Sequence, residues 1–328
     1  MIWIKSSSGQ PLSALPTNDL HTVRRWIAKA ASEHQASQIS RAQIESAAAS
    51  DLRWILAPVR FRGQPVTPAM AERWIGQFPT SLQPTALRLV HEVAARYFVN
   101  ESSFYLAIED VIGRARIPRG ASVHFCGWQL LSKSAPRIAH EIKTQAGWKT
   151  AGEIDLSQPA TWPTSAKVEW LVLADDFVGS GSTLRQLYRK HIQGLLDCFP
   201  AAQIRILLLL AYESGIRAAR AAWVARRELS NRVQICCHRL LTDRDRCFSP
   251  LSAIVIDPAR RAELREFCTE TAVTRMNGLQ AHLALGYDET GALVAFHDSV
   301  PNNSLPLLWC DRGSWVPLFP RAGLPPGL

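Results

Sequence analysis

Two adjacent carboxylates and a loop of small residues stand side by side near the middle of the chain. The stretch EWLVLADDFVGSGSTLR covers residues 169–185, and Asp175 and Asp176 close its apolar run. Glycines let the backbone that follows curl tightly, so that successive N–H groups converge on one anion at the start of the next helix. The sequence therefore predicts a phosphate site made of Gly179, Ser180, Gly181, Ser182 and Thr183.

The two aspartates need a ligand group other than the phosphate, because carboxylates beside a phosphate would repel it. Asp175 and Asp176 are suited to accept hydrogen bonds from vicinal hydroxyls, or to hold a divalent cation between themselves and the ligand. A sugar phosphate meets both demands. The alternative is that GSGST is only a flexible turn between a strand and a helix.

The elements around this stretch predict an α/β fold with a parallel sheet. Apolar strands alternate with helices, and strands that are apolar throughout are typical of a sheet covered on both faces. Ligands of such sheets bind beyond the carboxyl ends of the strands, where the acid pair and the loop fall. The predicted strands are 122–127, 168–175, 204–212 and 232–240, and the predicted helices are 135–146, 183–198, 215–229 and 258–273.

The segments on either side of this core differ from it. Helical patterns cover 17–34, 67–78, 84–98 and 101–115, with Thr67 as an N-cap and Pro68 at the first helical position. We therefore expect an N-terminal helical module over residues 1–116 and a second domain over 117–328. The end of that domain predicts a two-stranded hairpin around Asp288 to Gly291, followed by a PNNSLP turn and a Pro-rich tail.

The acid pair and its loop resemble the signature of type I phosphoribosyltransferases, in which a strand ends in two acids, two apolar residues and a small Thr/Ser/Gly-rich loop. The resemblance implies a phosphoribosyltransferase-like core. It also implies that Asp175 and Asp176 are the catalytic acids that bind the ribose hydroxyls, and that Gly179 to Thr183 form the 5-phosphate loop. Gly179 departs from the pattern, since many members carry a hydroxyl residue there.

Further segments are similar to phosphoribosyltransferase-like proteins of bacterial conflict systems: WIGQFP at 74–79, DDFVGSGST, and LGY…LVAFHDSVPNNSLPLLW. Retrons, which pair a reverse transcriptase and its RNA–DNA product with a toxic effector, are among the settings of such proteins. The resemblance implies an anti-phage effector that acts at the anomeric carbon of a nucleotide-type ligand, by phosphoribosyl transfer or by cleavage of an N-glycosidic bond. Mg²⁺ would be required where pyrophosphate takes part, without direct protein ligands. A non-catalytic nucleotide sensor and a salvage transferase remain alternatives.

Two further groups of residues are candidates for the same site. In phosphoribosyltransferases the loop after the first core strand meets the pyrophosphate, which implies this role for Lys133, Ser134 and Arg137. An ordinary helix N-cap with a solvated lysine explains the segment equally well. Asn302 and Asn303 carry amides that suit a base or acceptor edge, although they would also serve to hold the tail against the core.

The charge of the chain favours an acidic partner. The formal net charge is +9, and 30 of the 37 basic residues are arginines, whose planar guanidinium suits phosphate. We expect a nucleic acid or a ribonucleoprotein as partner, although a high-GC genome would also explain the arginine excess. The arginines that precede the core include Arg24, Arg25, Arg41, Arg53, Arg60 and Arg62.

The cysteines and the apolar runs predict a cytoplasmic, soluble protein. Seven cysteines are an odd number and show no CxxC spacing, which is typical of reduced thiols. The longest aliphatic run, Ile206 to Tyr212, is too short to span a bilayer, and the N-terminus lacks the pattern of a targeting segment. We therefore expect no membrane partner.

Overall fold

The computed structural model of the protein describes residues 51–127, 134–162, 168–221 and 231–321. All of these except Asp51 belong to one compact unit, Leu52–Leu328. Three predicted features lie outside the described residues: the helix at 17–34, the end of the helix at 215–229, and Lys133. The same holds for Arg24, Arg25 and Arg41.

Five parallel strands form the centre of the fold, in the order β5-β4-β6-β7-β8. Their bounds are β4 Ser122–Gly127, β5 Lys149–Asp155, β6 Trp170–Val178, β7 Gln203–Tyr212 and β8 Val233–Leu241. Three short strands precede them, β1 Arg60–Phe61, β2 Gln64–Pro65 and β3 Phe98–Val99, and β9 Ala295–Phe296 follows. The prediction of an α/β fold with a parallel sheet is confirmed.

Both faces of the sheet are covered, as the unbroken apolar strands predict. Along β6, Leu171 and Leu173 join one buried cluster, whereas Val172 and Ala174 join the other. The second cluster also takes buried side chains from the helices before the core. The helices are α1 Pro68–Ile75, α2 Gln83–Glu92, α3 Glu101–Ala115, α4 Ala135–Gln145, α5 Ser182–Leu187, α6 Gln193–Cys198, α7 Glu213–Ala221 and α8 Pro258–Arg275.

Most predicted elements occur close to their predicted bounds. Thr67 caps α1, where its side chain accepts a hydrogen bond from the Met70 N–H, and Pro68 is the first helical residue. The helix predicted over 183–198 contains a π-helical turn, Tyr188–Ile192, between α5 and α6. The edge strand β5 was not predicted, because only Ile154 of its side chains is buried and no apolar run marks it.

The predicted hairpin around Asp288 to Gly291 is wrong. Tyr287–Glu289 forms a 3-10 turn, in which Asp288 and Glu289 adopt left-handed φ values of 51° and 49° that no extended strand allows. The flanking backbone bonds to the PNNSLP turn, because the Tyr287 N–H donates to the Asn302 carbonyl at 2.9 Å. The strand β9 pairs in parallel with β3, which lies far away in the sequence.

The domain boundary predicted between residues 116 and 117 stays a prediction. On the N-terminal side of that boundary, α3 buries Phe104, Ile108 and Val111 in the same apolar cluster as Val172 of the sheet. The Arg205 guanidinium on β7 also donates to the Ala115 carbonyl at the end of α3, at 3.0 Å. The helix before the boundary is thus a covering layer of the sheet.

Candidate functional site

The acid pair lies at the carboxyl end of β6, the central strand of the sheet. Asp175 pairs in register with Leu208 of β7, and both neighbouring strands run parallel to β6. Asp175 is 3% exposed and Asp176 is 6% exposed. Two carboxylates are thus buried side by side where parallel sheets bind their ligands.

Asp175 is held by hydrogen bonds to its Oδ1 atom. The Ser134 hydroxyl donates to this atom at 3.1 Å, and the Asp176 backbone N–H donates to it at 2.9 Å. Ser134 immediately precedes α4, so the start of this helix lies beside the acid pair. The fixed orientation of Asp175 suits a carboxylate that receives hydrogen bonds from a ligand.

The ionised form of the Asp176 carboxylate is unfavourable in the folded chain, because the side chain is buried. Burial raises its pKa, and nearby hydrogen bonds and the positive charge of Arg137 offset this effect only in part. Burial also lowers the pKa of Arg137, and the negative charge of Asp176 opposes this shift. Hydrogen bonds from Ser134 and the Phe177 backbone reach the Asp176 carboxylate, and within the described part of the chain it forms no ion pair.

A second arginine acts on Asp176 from the C-terminal segment. Burial lowers the pKa of Arg321 to about 10, and Asp176 makes the largest opposing contribution. The Arg321 guanidinium lies 3.8 Å from the centroid of the Trp309 ring and donates to Asn302 Oδ1 at 2.7 Å. Nothing in the Pro-rich tail marks Arg321 in the sequence, and only the fold brings it to the site.

The loop after the acid pair has the tight backbone that its glycines predict. Gly181 has φ 78°, a left-handed value, and α5 begins at the next residue. A Cβ atom on Gly181 would lie 2.1 Å from the Gly215 carbonyl oxygen of α7. The loop therefore depends on a glycine at 181, and its close packing against Gly215 was not foreseen from the sequence.

The hydroxyls of the loop are connected to a turn of the C-terminal segment. The Ser180 hydroxyl lies 3.0 Å from that of Ser182 and donates to Asp288 Oδ2 at 2.6 Å. Ser180 Oγ also accepts the Ser182 N–H at 3.2 Å. A carboxylate thus touches the loop that the sequence assigns to phosphate. The sequence gives no signal for this contact, since 108 positions separate its two residues.

The remaining candidates lie around the acid pair in different roles. Arg137 pairs through Nη1 with Asp298 Oδ2, and its guanidinium lies 4.8 Å from the Phe104 ring centroid. Asn302 accepts the hydrogen bond from Arg321. Asn303 donates from Nδ2 to the Tyr287 carbonyl, so its amide holds the C-terminal turn.

The described ranges lack both a metal-binding cluster and a helix suited to a membrane. Nowhere in them do three His, Cys, Asp or Glu side chains gather so as to hold a metal ion. In the same ranges, no helix combines the length and the apolar character needed to cross a bilayer.

Comparisons with known proteins found a matching family and similar solved structures. The family model PRTase-CE matches residues 71–321, a range that contains the acid pair and the loop. Among solved structures, the chain is similar to a hypoxanthine-guanine-xanthine phosphoribosyltransferase, with 13% identity and a TM-score of 0.29, over 46% of this chain and 81% of that one. It is also similar to the AQ2163 protein from Aquifex aeolicus, with 11% identity and a TM-score of 0.28, over 53% and 83% of the two chains. No match was found among curated proteins.

Proposed function

Because the chain belongs to the PRTase-CE family, we propose that it binds a ribose 5-phosphate group, as part of a nucleotide-type ligand. The Asp175 and Asp176 carboxylates accept hydrogen bonds from the ribose hydroxyls, and the loop Gly179 to Thr183 receives the phosphate. The observation that carries this proposal is the burial of two adjacent carboxylates at the end of the central strand, directly before a glycine loop.

The energetics of Asp176 support a ligand role. A buried carboxylate is costly unless it is paired, and a cost retained in the folded chain is typical of a functional site. Ribose hydroxyls would add donors to those that already reach Asp176 from Ser134 and the Phe177 backbone. Ser134 donates to Asp175 and the charge of Arg137 acts on Asp176, which supports our proposal that these two residues also act on a pyrophosphate group at the anomeric carbon.

The chemistry we propose is attack at, or departure from, the anomeric carbon. Asp175 and Asp176 fix the hydroxyls and stabilise the positive charge that develops on the sugar ring. Mg²⁺ fits this site mainly through the ligand, since the acid pair supplies hard oxygen donors but the described residues offer no group of three metal-binding side chains. When bound, the ion would neutralise charge on a pyrophosphate group.

The biological setting we propose is that of a toxic effector in a bacterial anti-phage system, such as a retron, in the cytoplasm. The formal charge of +9 supports a nucleic acid or ribonucleoprotein partner, for instance a reverse transcriptase with its RNA–DNA product. The same charge supports the second candidate function, a sensor that binds a nucleotide without turnover and contacts nucleic acid through its basic surface.

The test compares the parent chain with Asp175→Asn, Asp176→Asn and the double variant. Calorimetric titration with ribose 5-phosphate, together with mass spectrometry of nucleotides in expressing cells, should show loss of binding and of nucleotide changes in the double variant. Asp197→Asn, at an exposed position of α6, is the matched control. Binding without any nucleotide change would favour the sensor, and unchanged binding in the double variant would refute the site.

A further inference from the structure

The carboxylate of Asp288 lies on the loop that is proposed to bind phosphate. Its Oδ2 atom accepts a hydrogen bond from the Ser180 hydroxyl at 2.6 Å. Asp288 is exposed and belongs to a turn outside the sheet, and its φ of 51° lies in the left-handed region. Neither the chemistry at the anomeric carbon nor the packing of the core requires a carboxylate at this position.

The turn that carries Asp288 is anchored on both sides. Asn303 Nδ2 donates to the Tyr287 carbonyl at 3.1 Å and lies 3.0 Å from Thr290 Oγ1. The next residue, Glu289, forms an exposed ion pair with Arg265 of α8, which adds little to this anchoring. Asp288 is therefore presented to Ser180 by a turn that the rest of the C-terminal segment fixes in place.

A ligand phosphate and the Asp288 carboxylate compete for the same loop. The Ser180 hydroxyl has one hydrogen to donate, so it cannot serve both acceptors at once. Two negative groups within a few ångströms also repel one another, and the repulsion is larger near a protein surface than in bulk water. The hydrogen bond between Ser180 and Asp288 therefore has to break when a phosphate binds.

We propose that Asp288 is a specificity-determining residue of this loop, which excludes free inorganic phosphate and admits a phosphate only on a ligand that also binds the acid pair. This inference rests on the proposed function. The ribose hydroxyls supply the binding energy that displaces the carboxylate, and inorganic phosphate has no such second contact. The loop is thereby protected from an abundant anion, whereas the complete ligand still binds because its hydroxyls offset the cost of displacing Asp288.

The test removes the charge and keeps the shape. Asp288→Asn retains an oxygen acceptor for Ser180, and asparagine tolerates a left-handed φ about as well as aspartate. Asp288→Gly removes the side chain and also suits that φ, which provides a second variant. Glu289→Gln is the matched control, because Glu289 belongs to the same turn but pairs with Arg265 instead of the loop.

Each full-length variant is titrated calorimetrically with inorganic phosphate and with ribose 5-phosphate. We expect Asp288→Asn and Asp288→Gly to bind inorganic phosphate about 10-fold or more tightly than the parent, and to bind ribose 5-phosphate more tightly as well. Glu289→Gln should change neither affinity. Thermal unfolding of each variant establishes that the fold is kept.

The outcomes separate this inference from the proposed function. Ribose 5-phosphate binding that is lost in the Asp175→Asn, Asp176→Asn double variant but unchanged in both Asp288 variants would overturn the inference and leave the proposed function intact. Tighter phosphate binding in the Asp288 variants, with ribose 5-phosphate bound no better than phosphate, would show that Asp288 excludes phosphate from the loop but would refute the role of the acid pair in admitting the ligand. Absence of binding by every protein would overturn both.

Discussion

The side chain of Asn303 occupies the space that a side chain at Gly179 would need. A Cβ atom on Gly179 would lie 2.3 Å from Asn303 Nδ2, closer than any real contact permits. This accounts for a glycine at a loop position where many phosphoribosyltransferases carry a hydroxyl residue. The loop and the PNNSLP turn thus form one packing unit, which also positions the turn of Asp288 through the amide of Asn303.

The packing unit predicts a coupling between Gly179 and Asn303. Gly179→Ser should cost about 1–3 kcal/mol of unfolding free energy through overpacking, and Asn303→Ala about 1–2 kcal/mol through lost hydrogen bonds. In the double variant the smaller alanine leaves room for the serine, so the combined cost should be less than the sum by about 0.5 kcal/mol or more. Denaturant unfolding measures all four proteins. Strict additivity would show that the two residues do not share this space.

The backbone of Gly181 predicts a second loss of stability. Gly181→Ala places a side chain at a φ of 78°, which alone should lower the free energy of unfolding by about 1 kcal/mol. The new Cβ atom would also lie 2.1 Å from the Gly215 carbonyl oxygen, and this contact should lower the free energy of unfolding further. Gly113→Ala is the matched control, since it lies within α3 with open space around it and should stabilise the chain by about 0.5–1 kcal/mol. Denaturant unfolding should therefore give changes of opposite sign. A stable Gly181→Ala variant with parental affinity for ribose 5-phosphate would place the anion site elsewhere.

The sheet and the acid pair could be predicted because their signals are local. The apolar runs that end at Asp175 and at Tyr212 are each long enough to show a buried strand, and the Gly-Ser loop begins after only two further apolar residues. Thr67 and Pro68 likewise mark the start of α1 within two positions. Signals that arise between neighbouring residues in this way can be read without knowledge of the rest of the fold.

The other residues around the site could not be predicted, because they come from distant parts of the chain. Asp288 and Arg321 lie on segments without a regular apolar period, and their contacts are set by how the C-terminal segment packs on the sheet. The same packing explains the wrong hairpin. The alternation around Asp288 resembles two strands, but the backbone there finds its partners in the turn at Asn302.

The burial of Asp176 predicts a gain of stability on its removal. Its pKa is raised above the 3.8 of an ordinary aspartate, so the folded chain binds this proton more tightly than the unfolded chain. The resulting stabilisation is fully present below pH 3.8 and is lost as the pH rises through the raised pKa of the folded state. At pH 7 Asp176→Asn should therefore raise the free energy of unfolding while it weakens ligand binding.

Denaturant unfolding at pH 7 and pH 5 checks this sign. The gain from Asp176→Asn should shrink as the pH falls. The control is Asp155→Asn, because hydrogen bonds from Ser157 lower the pKa of exposed Asp155 and make its removal unfavourable at pH 7. A loss of stability in Asp176→Asn that is equal at both pH values would show that the carboxylate supports the fold rather than a ligand.

The proposed polyanionic partner predicts a steep dependence of binding on salt. Each phosphate contact should contribute a log–log slope of about −0.9 on duplex DNA or −0.7 on single strands. The contribution of the N-terminal arginines is tested by removing residues 1–50, a cut that leaves the buried side chains of α3 on the sheet. Of the arginines that remain before the core, Arg53 is exposed, whereas Arg62 donates to the Asp298 carbonyl. Binding to single-stranded and duplex nucleic acid across a salt series should therefore weaken in the shortened chain, and its slope should become shallower. Association that does not change with salt, or that is equal in the two chains, would leave the charge of +9 as a feature of solubility.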